Sequence, residues 1–467
     1  MKTILLRPTD VLFFRDGRPM EGSLSGHGAA WPLPHVISGA FHAALHRADI
    51  KEVHSHRRGR AGKYDDTQRD RKFGSLITAG PFPFLMAGSR TNGGPKSPGW
   101  YFPRPLDLLD STLGPALLPS QQIPRENGSL AAPLNYAVAN VLPPQKDRTT
   151  TDWLSRDAFE AYIQETKGIE ANGVNDRDVF DQEHHIGIGI DAETQTTGQG
   201  EAEGKIYSAH YLRLRDEWRL GVFARALDKG HSDQDLLNVL FENGSRQIIV
   251  GGQQRVCTVE FAEQEGSNQA RLPLPLGIST GFRSANGKIR VKWVLLSPAI
   301  WPEITAGVTK KDATVARHGH PGGWLPNWID AENGNVLLRS VTAEERKQRR
   351  SDNYDGRGYR SERNAEEINA KLVAAIVPKP IPVTGWALPS ETADHPEGGA
   401  KSTHLAVPAG AVYYFEADTV EDAERLANAL NWHGASKGVE IKNRRSTLLG
   451  EKGFGLGVCG TWRFYGT

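Results

Sequence analysis

Cysteine is nearly absent: Cys257 and Cys459 are the only two in 467 residues. Two thiols cannot build a disulfide framework or a four-cysteine zinc site, and they fit a reducing cytoplasm. An excess of one charge is also missing, with 56 Lys and Arg against 55 Asp and Glu. That balance excludes a global positive field, so any anion-binding surface must be local. No apolar run approaches the roughly 20 residues that span a bilayer. Near the N-terminus, Ile4-Leu5-Leu6 is broken at once by Arg7 and Asp10, so no secretory signal is read. The expectation is a cytoplasmic protein with no membrane partner, no metal and no cofactor.

Glycine and proline, by contrast, are abundant, at 50 and 28 residues. Hydrophobic residues are 38% of the chain, enough for a real core but interrupted by many turns. At about 150 residues per domain, the length suggests three units, or two domains carrying large insertions.

The opening segment, Thr3 to Phe14, reads as one or two short strands around Pro8. A helix is expected over about 36–48, where Ile37, Phe41, Ala44, Leu45 and Ala48 recur at helical spacing and Ser38 is a candidate cap. Residues 51–72 are a mixed charge run, and 80–150 are dense in Pro and Gly; both read as insertions or long loops. Strict alternation returns at Ile186–Ile190. Strands follow at Ile206–Arg215 and Trp218–Ala226, then a helix from Ser232 to Phe241 stopped by Gly244, then a strand at Gln247–Phe261. Without insertions the order is strand, helix, strand, strand, helix, strand, the split βαβ or ferredoxin-like arrangement.

The second half repeats part of this. Strands are expected at Arg290–Trp301, Lys371–Trp386 and Ala411–Ala417, a helix at Val420–Trp432, and a last strand at Phe454–Phe464. The helix that should follow the first of these strands is not legible. The fold class read from the pattern is α+β, two tandem ferredoxin-like domains with long loop insertions. The boundaries are 1–275, with insertions at about 51–72 and 80–180, and 276–467, with an insertion at about 303–366 and a C-terminal glycine-rich loop.

Gly455-Leu456-Gly457-Val458-Cys459-Gly460 formally matches G-x-G-x-x-G, but only seven residues follow and they read as strand. A dinucleotide site needs a helix there, so it is excluded. What remains is either a glycine loop whose bare backbone approaches phosphates or a strand entry needing special backbone angles. His42 and His46 lie one helical turn apart without a third ligand, which favours a solvated or capping role. Of His184 and His185, adjacent on a strand, at most one points into a shared site. On Ile206–Arg215, Tyr207, Ala209, Tyr211, Arg213 and Arg215 share one face, an interleaving that suits either base stacking or plain solvent exposure. Lys437, Lys442, Arg444 and Arg445 form the least balanced basic cluster, and it precedes the C-terminal glycines.

Five blocks in order then show a family likeness. They are Pro8–Pro19; Ile186–Asp191 with Gly204–Tyr207; Gly251–Arg255; Leu295–Ile300 with Gly322–Pro326; and Val407–Phe415 with Gly453–Gly460. Together they resemble the RAMP-superfamily subunit of type III-B CRISPR effector (Cmr) complexes that holds the crRNA 5′ tag. The resemblance implies a non-catalytic RNA-binding protein that grips the tag and docks on the large polymerase-like subunit beside the backbone RAMP subunits. It places glycine loops after the second helix of each half, at Gly251-Gly252 and at Gly453, Gly455 and Gly457. The residues expected at RNA are Arg15, Arg18 and His27 near the N-terminus, His184, Gln253 and Arg255, and the basic cluster with its glycines. Arg15 and Arg18 either grip phosphates or lock the Asp16-Gly17 turn. An alternative is a metal-independent crRNA-processing endoribonuclease of the same superfamily, using a His as acid and base.

Overall fold

In the computed structural model the alternation at the start of the chain becomes strand β1 (Lys2–Pro8), with Ile4 and Leu6 on one face and Leu5 on the other, all buried. The structure describes residues 1–14, 24–26, 31–48, 50, 76–87, 97–109, 117–121, 130–141, 150–165, 172–191, 193–197, 206–228, 234–242, 246–262, 271–309, 312–317, 319–340, 366–387 and 399–466. Helix α1 (Pro34–Arg47) starts two residues before the expected position. Proline at its first position has the required φ, and no side chain caps it. Ser38 is therefore not the cap but a buried residue of the second turn.

Strand β2 (Ile77–Leu85) follows, and then β3 (Gly99–Pro103), β4 (Trp153–Ser155), α2 (Arg156–Ile163), β5 (Gly173–Val174), β6 (Phe180–Ile188) and β7 (Ile206–Leu214). The first half closes with β8 (Trp218–Arg225), α3 (Leu236–Glu242), β9 (Gln247–Ile249) and β10 (Val256–Phe261). Eight strands form one antiparallel sheet in the order β9-β10-β1-β8-β2-β3-β4-β5. Two expectations are corrected here. The stretch read as an insertion from 80 onward supplies β2 and extends the sheet, because its prolines sit among large apolar residues such as Phe82 and Phe84 rather than in solvated turns. The strand expected at 247–261 is a hairpin, folded back at Gly251.

The second half contains β11 (Arg283–Ala285), β12 (Lys288–Leu295), β13 (Ala370–Ile376), β14 (Val412–Ala417), α4 (Val420–Leu430) and β15 (Gly457–Thr461). Here β12 is central, with β14 and then β13 on one side and β15 and β11 on the other, every pair antiparallel. Helix α4 is capped by Thr419, whose Oγ1 accepts the Asp422 amide at 3.0 Å. Between β12 and β13 no helix occurs among the described residues.

The sheets are layered by the parity of their residues. Ile4, Leu6 and Val222 face α1 and α3, while Val291, Trp293 and Tyr413 face α4. The opposite faces meet each other: Leu5, Phe82 and Phe223 of the first sheet share one core with Val294, Val412 and Val458 of the second, and α2 lies in the same layer. At its centre the fully buried Asp107 accepts from Lys292 Nζ at 3.3 Å, from the Tyr162 hydroxyl at 2.5 Å and from the Tyr414 hydroxyl at 3.4 Å. Lys292 also lies 3.9 Å over the Tyr162 ring. One carboxylate thus joins the long excursion between β3 and α2 to both central strands of the second sheet. Both cysteines are free and buried. No helix among the described residues is long and apolar enough to cross a membrane.

Candidate nucleic-acid interface

Strands β6 and β7 stand apart from the main sheet. Phe180, Leu212 and Leu214 anchor their base in the core beneath α1, while Ile186 and Ile188 further along are exposed. Antiparallel pairing sets Tyr211 opposite Glu183 and Ala209 opposite His185, so Glu183, His185, Tyr211 and Arg213 share one face. His184 lies on the other face, where its Nε2 is 2.5 Å from Ser208 Oγ and its ring 4.6 Å from that of His210.

Two other segments converge on the first face. Leu12 and Leu212 exchange backbone hydrogen bonds at 2.8 Å, which lays residues 11–14 along β7, with Phe13 5.5 Å from the Tyr211 ring. Leu24–Gly26 pairs in parallel with Tyr207–Ala209 of the same strand. The chain on either side of residues 15–23 is therefore held against β7. Arg15, Arg18 and His27 themselves lie outside the described residues. The third segment is the β9–β10 turn. Gly252 N–H donates to Phe13 O at 2.9 Å, Gly251 has φ 78°, and Gln253 and Gln254 have φ 54° and 53°. Left-handed backbone is uncommon outside glycine, and two such glutamines in succession bend the turn sharply over Phe13.

This bend brings Gln253 and Arg255 together. Gln253 Oε1 accepts from the Tyr211 hydroxyl at 2.9 Å and from Arg255 Nη2 at 3.2 Å. The Arg255 guanidinium lies 5.1 Å above the Tyr211 ring. Its Nη1 is 3.7 Å from Asp10 Oδ2, and Arg213 Nη1 is 2.9 Å from Asp10 Oδ1. Arg213 Nε also pairs with Glu183, whose other oxygen is 3.5 Å from His185 Nε2. The hydrogen bond from Arg213 chiefly holds both the Asp10 and Glu183 carboxyls below their usual range. Tyr211 and Arg213 were legible as one strand face, whereas Asp10 and Glu183 were not singled out. The available signal for Asp10 was its place inside the Pro8–Pro19 block.

The C-terminal cluster behaves differently and overturns the expectation of bare amides beside free cations. Gly453, Gly455 and Gly457 are all buried. A Cβ on Gly455 would meet Ser446 N at 2.1 Å, one on Gly457 the Trp293 Nε1 at 2.3 Å, and one on Gly453 the Thr78 carbonyl at 2.8 Å. Their amides are spoken for as well: Gly455 N–H donates to Pro298 O and Gly453 N–H to Gly450 O. These glycines exist because other backbone or, at Gly457, the Trp293 indole passes too close for any side chain. Arg445 donates through Nε to Ala429 O at 2.6 Å while its own carbonyl accepts both the Trp301 and Trp328 indoles. Burial lowers the pKa of Arg444 and brings that of Arg445 to about 10. Lys442 pairs with Glu440, and Lys437 is exposed. Arg444, Arg445 and the three glycines thus form part of the fold's interior rather than an anion-facing rim.

A family model described as CRISPR-associated protein (Cas_Cmr3) matches residues 4–462. Among solved structures, the chain is similar to a chain of the type III-B Cmr-beta complex bound to cognate target RNA and AMPPnP. That likeness has 14% identity and a TM-score of 0.34, and covers 88% of this chain and 86% of that one. A chain of Cmr-beta bound to cognate target RNA alone gives the same four values. A chain of the Csm3-Csm4 subcomplex of the type III-A CRISPR-Cas interference complex shares 10% identity at a TM-score of 0.28, with 88% and 92% covered. No curated protein sequence matches the chain.

Proposed function

The chain belongs to the Cas_Cmr3 family of CRISPR-associated proteins, and from that premise we propose a non-catalytic subunit of a type III-B effector complex. In this reading it caps the 5′ repeat-derived tag of the crRNA and docks on the large polymerase-like subunit and the backbone RAMP subunits, in antiviral defence. The architecture is read as two ferredoxin-like units. Strands β10-β1-β8-β2 and β15-β12-β14-β13 follow the same fourth-first-third-second order, each antiparallel.

The observation that carries the reading is the surface cluster of Arg213, Gln253 and Arg255, built over the buried Tyr211 ring. Single-stranded RNA is held by stacking its bases and by cations and amides on its backbone. Two guanidiniums and a side-chain amide supply the cations and the amide, and the Tyr211 ring beneath them, covered by Arg255 and Phe13, holds them in place. In single RNA-recognition domains of this topology the open sheet face does the stacking. Here both such faces are buried against each other, so RNA must be met at the rim, where β7 and the Gly251 turn lie.

The test is fluorescence anisotropy with tag RNA and a scrambled strand of equal length. Arg213→Ala combined with Arg255→Ala should weaken tag binding at least tenfold, and unchanged affinity would remove this face from the RNA path. Repeat RNA incubated with the protein in EDTA should stay intact. A discrete cut abolished by His184→Ala would replace this reading with the endoribonuclease.

A further inference from the structure

Arg213 and Arg255 come from different segments, a strand and a turn, yet point their free ends at the same carboxylate. Each guanidinium is fixed from behind. Glu183 holds the Nε edge of Arg213, and Gln253 and the Tyr211 ring hold Arg255. Each then presents Nη1 to a different oxygen of Asp10, at 2.9 and 3.7 Å. Two forks converging on two oxygens of one anion is the geometry by which arginines hold a phosphate.

Asp10 itself is a weak tenant. Its side chain is 54% exposed, and an exposed ion pair screened by water contributes little to stability. The charges also count out: Arg213 and Arg255 are balanced by Asp10 and Glu183, so removing Asp10 leaves one positive charge, matching one phosphodiester. We propose that the Arg213–Arg255 fork is an anion seat for a single phosphodiester of single-stranded RNA, occupied in the free subunit by the chain's own Asp10 carboxylate. Asp10 keeps the fork shaped and neutral until RNA displaces it, which makes the contact an internal competitor. The inference rests on the reading of this face as an RNA surface and adds a regulatory element to it.

The experiment compares wild type, Asp10→Asn and Asp10→Asn/Arg213→Ala, using tag RNA and, separately, inorganic phosphate. Asp10→Asn should tighten RNA binding severalfold and steepen the slope of log K against log salt by about 0.7, the value of one added phosphate contact on a single strand. Millimolar phosphate should raise its thermal midpoint but not that of wild type, and the second substitution should cancel both gains. If Asp10→Asn folds with wild-type spectra yet binds RNA no tighter, with no response to phosphate, the seat is refuted. A response to phosphate without a gain for RNA also refutes the proposal, since the seat would then serve a free anion. Should Asp10→Asn fail to fold, Asp10→Ser gives the same readouts. Failure of the underlying reading looks different: wild type itself would not distinguish tag RNA from the scrambled strand.

Discussion

Each half of the molecule has a glycine turn after its last described α-helix, α3 or α4, and the two turns have opposite fates. The Gly251 turn rests on Phe13 and displays Gln253 and Gln254 outward, in left-handed conformations that hold Arg255 over Tyr211. The Gly453–Gly457 run is threaded through the interior, touching Thr78 of the first half and Trp293 of the second. A glycine-rich sequence therefore signals only that something comes close to the backbone. Whether that something is solvent and ligand or another part of the chain depends on where the flanking segments lead.

The sharpest way to break this contrast is to add one methyl group. Gly455→Ala places a Cβ 2.1 Å from Ser446 N at φ 75°, where backbone cannot yield, and should cost about 3 kcal/mol or more in denaturant unfolding. Gly252→Ala meets only the edge of the Phe13 ring at 2.8 Å and should cost about 1 kcal/mol. Equal costs would mean that the two turns are enclosed alike. Of similar size is Lys292→Met, which strands the Asp107 carboxylate in the shared core and should cost about 3–5 kcal/mol. Adding Asp107→Leu should restore part of that stability, and no recovery would show that the ion pair was not the cause.

A pH series examines the enclosed turn from its other side. His35 stacks 6.0 Å from Phe454, and burial lowers its pKa from 6.5 to about 4. The folded state thus prefers the neutral ring. Its contribution is intact above pH 6.5 and erodes as pH falls toward 4, by on the order of 2 kcal/mol at pH 4.5. His35→Gln should flatten that part of the stability profile, and an unchanged acid limb would assign it to other groups. The smallest effects separate the cations. Arg445→Ala should lower stability by about 2 kcal/mol while leaving the salt dependence of RNA binding unchanged, because its Nε serves the Ala429 carbonyl. Arg255→Ala should leave unfolding nearly unchanged but reduce the salt slope by about 0.7. The reverse pattern would exchange the roles of the two turns.

Much of the scaffold was legible because it follows simple periods. Ile37, Phe41 and Leu45 announced α1, and the Val420–Leu430 amphipathic face announced α4 within two residues of its end. What escaped was anything fixed by distant pairing. Strand β2 reads as a proline-rich loop because Gly80, Pro81 and Pro83 outweigh its aromatics locally, and only the antiparallel register with β8 makes it a strand. The site was half legible for the same reason. The fold brings Tyr211, Arg213, Gln253 and Arg255 together, but Asp10 reaches them only through the bridge between Leu12 and Leu212. Arg444, Arg445 and the glycines after them misled because a sequence carries no record of burial, whereas Lys437 and Lys442 of the same cluster are exposed.

The face-to-face sheets carry one last consequence. A protein whose widest surfaces are committed to each other recognises partners with its perimeter, and a perimeter made of hairpins and turns can be lengthened, trimmed or recoloured without disturbing what lies beneath. Divergence among such proteins should accumulate at that border while the sandwiched aromatics stay in register, so their kinship would persist long after their sequences had ceased to look alike.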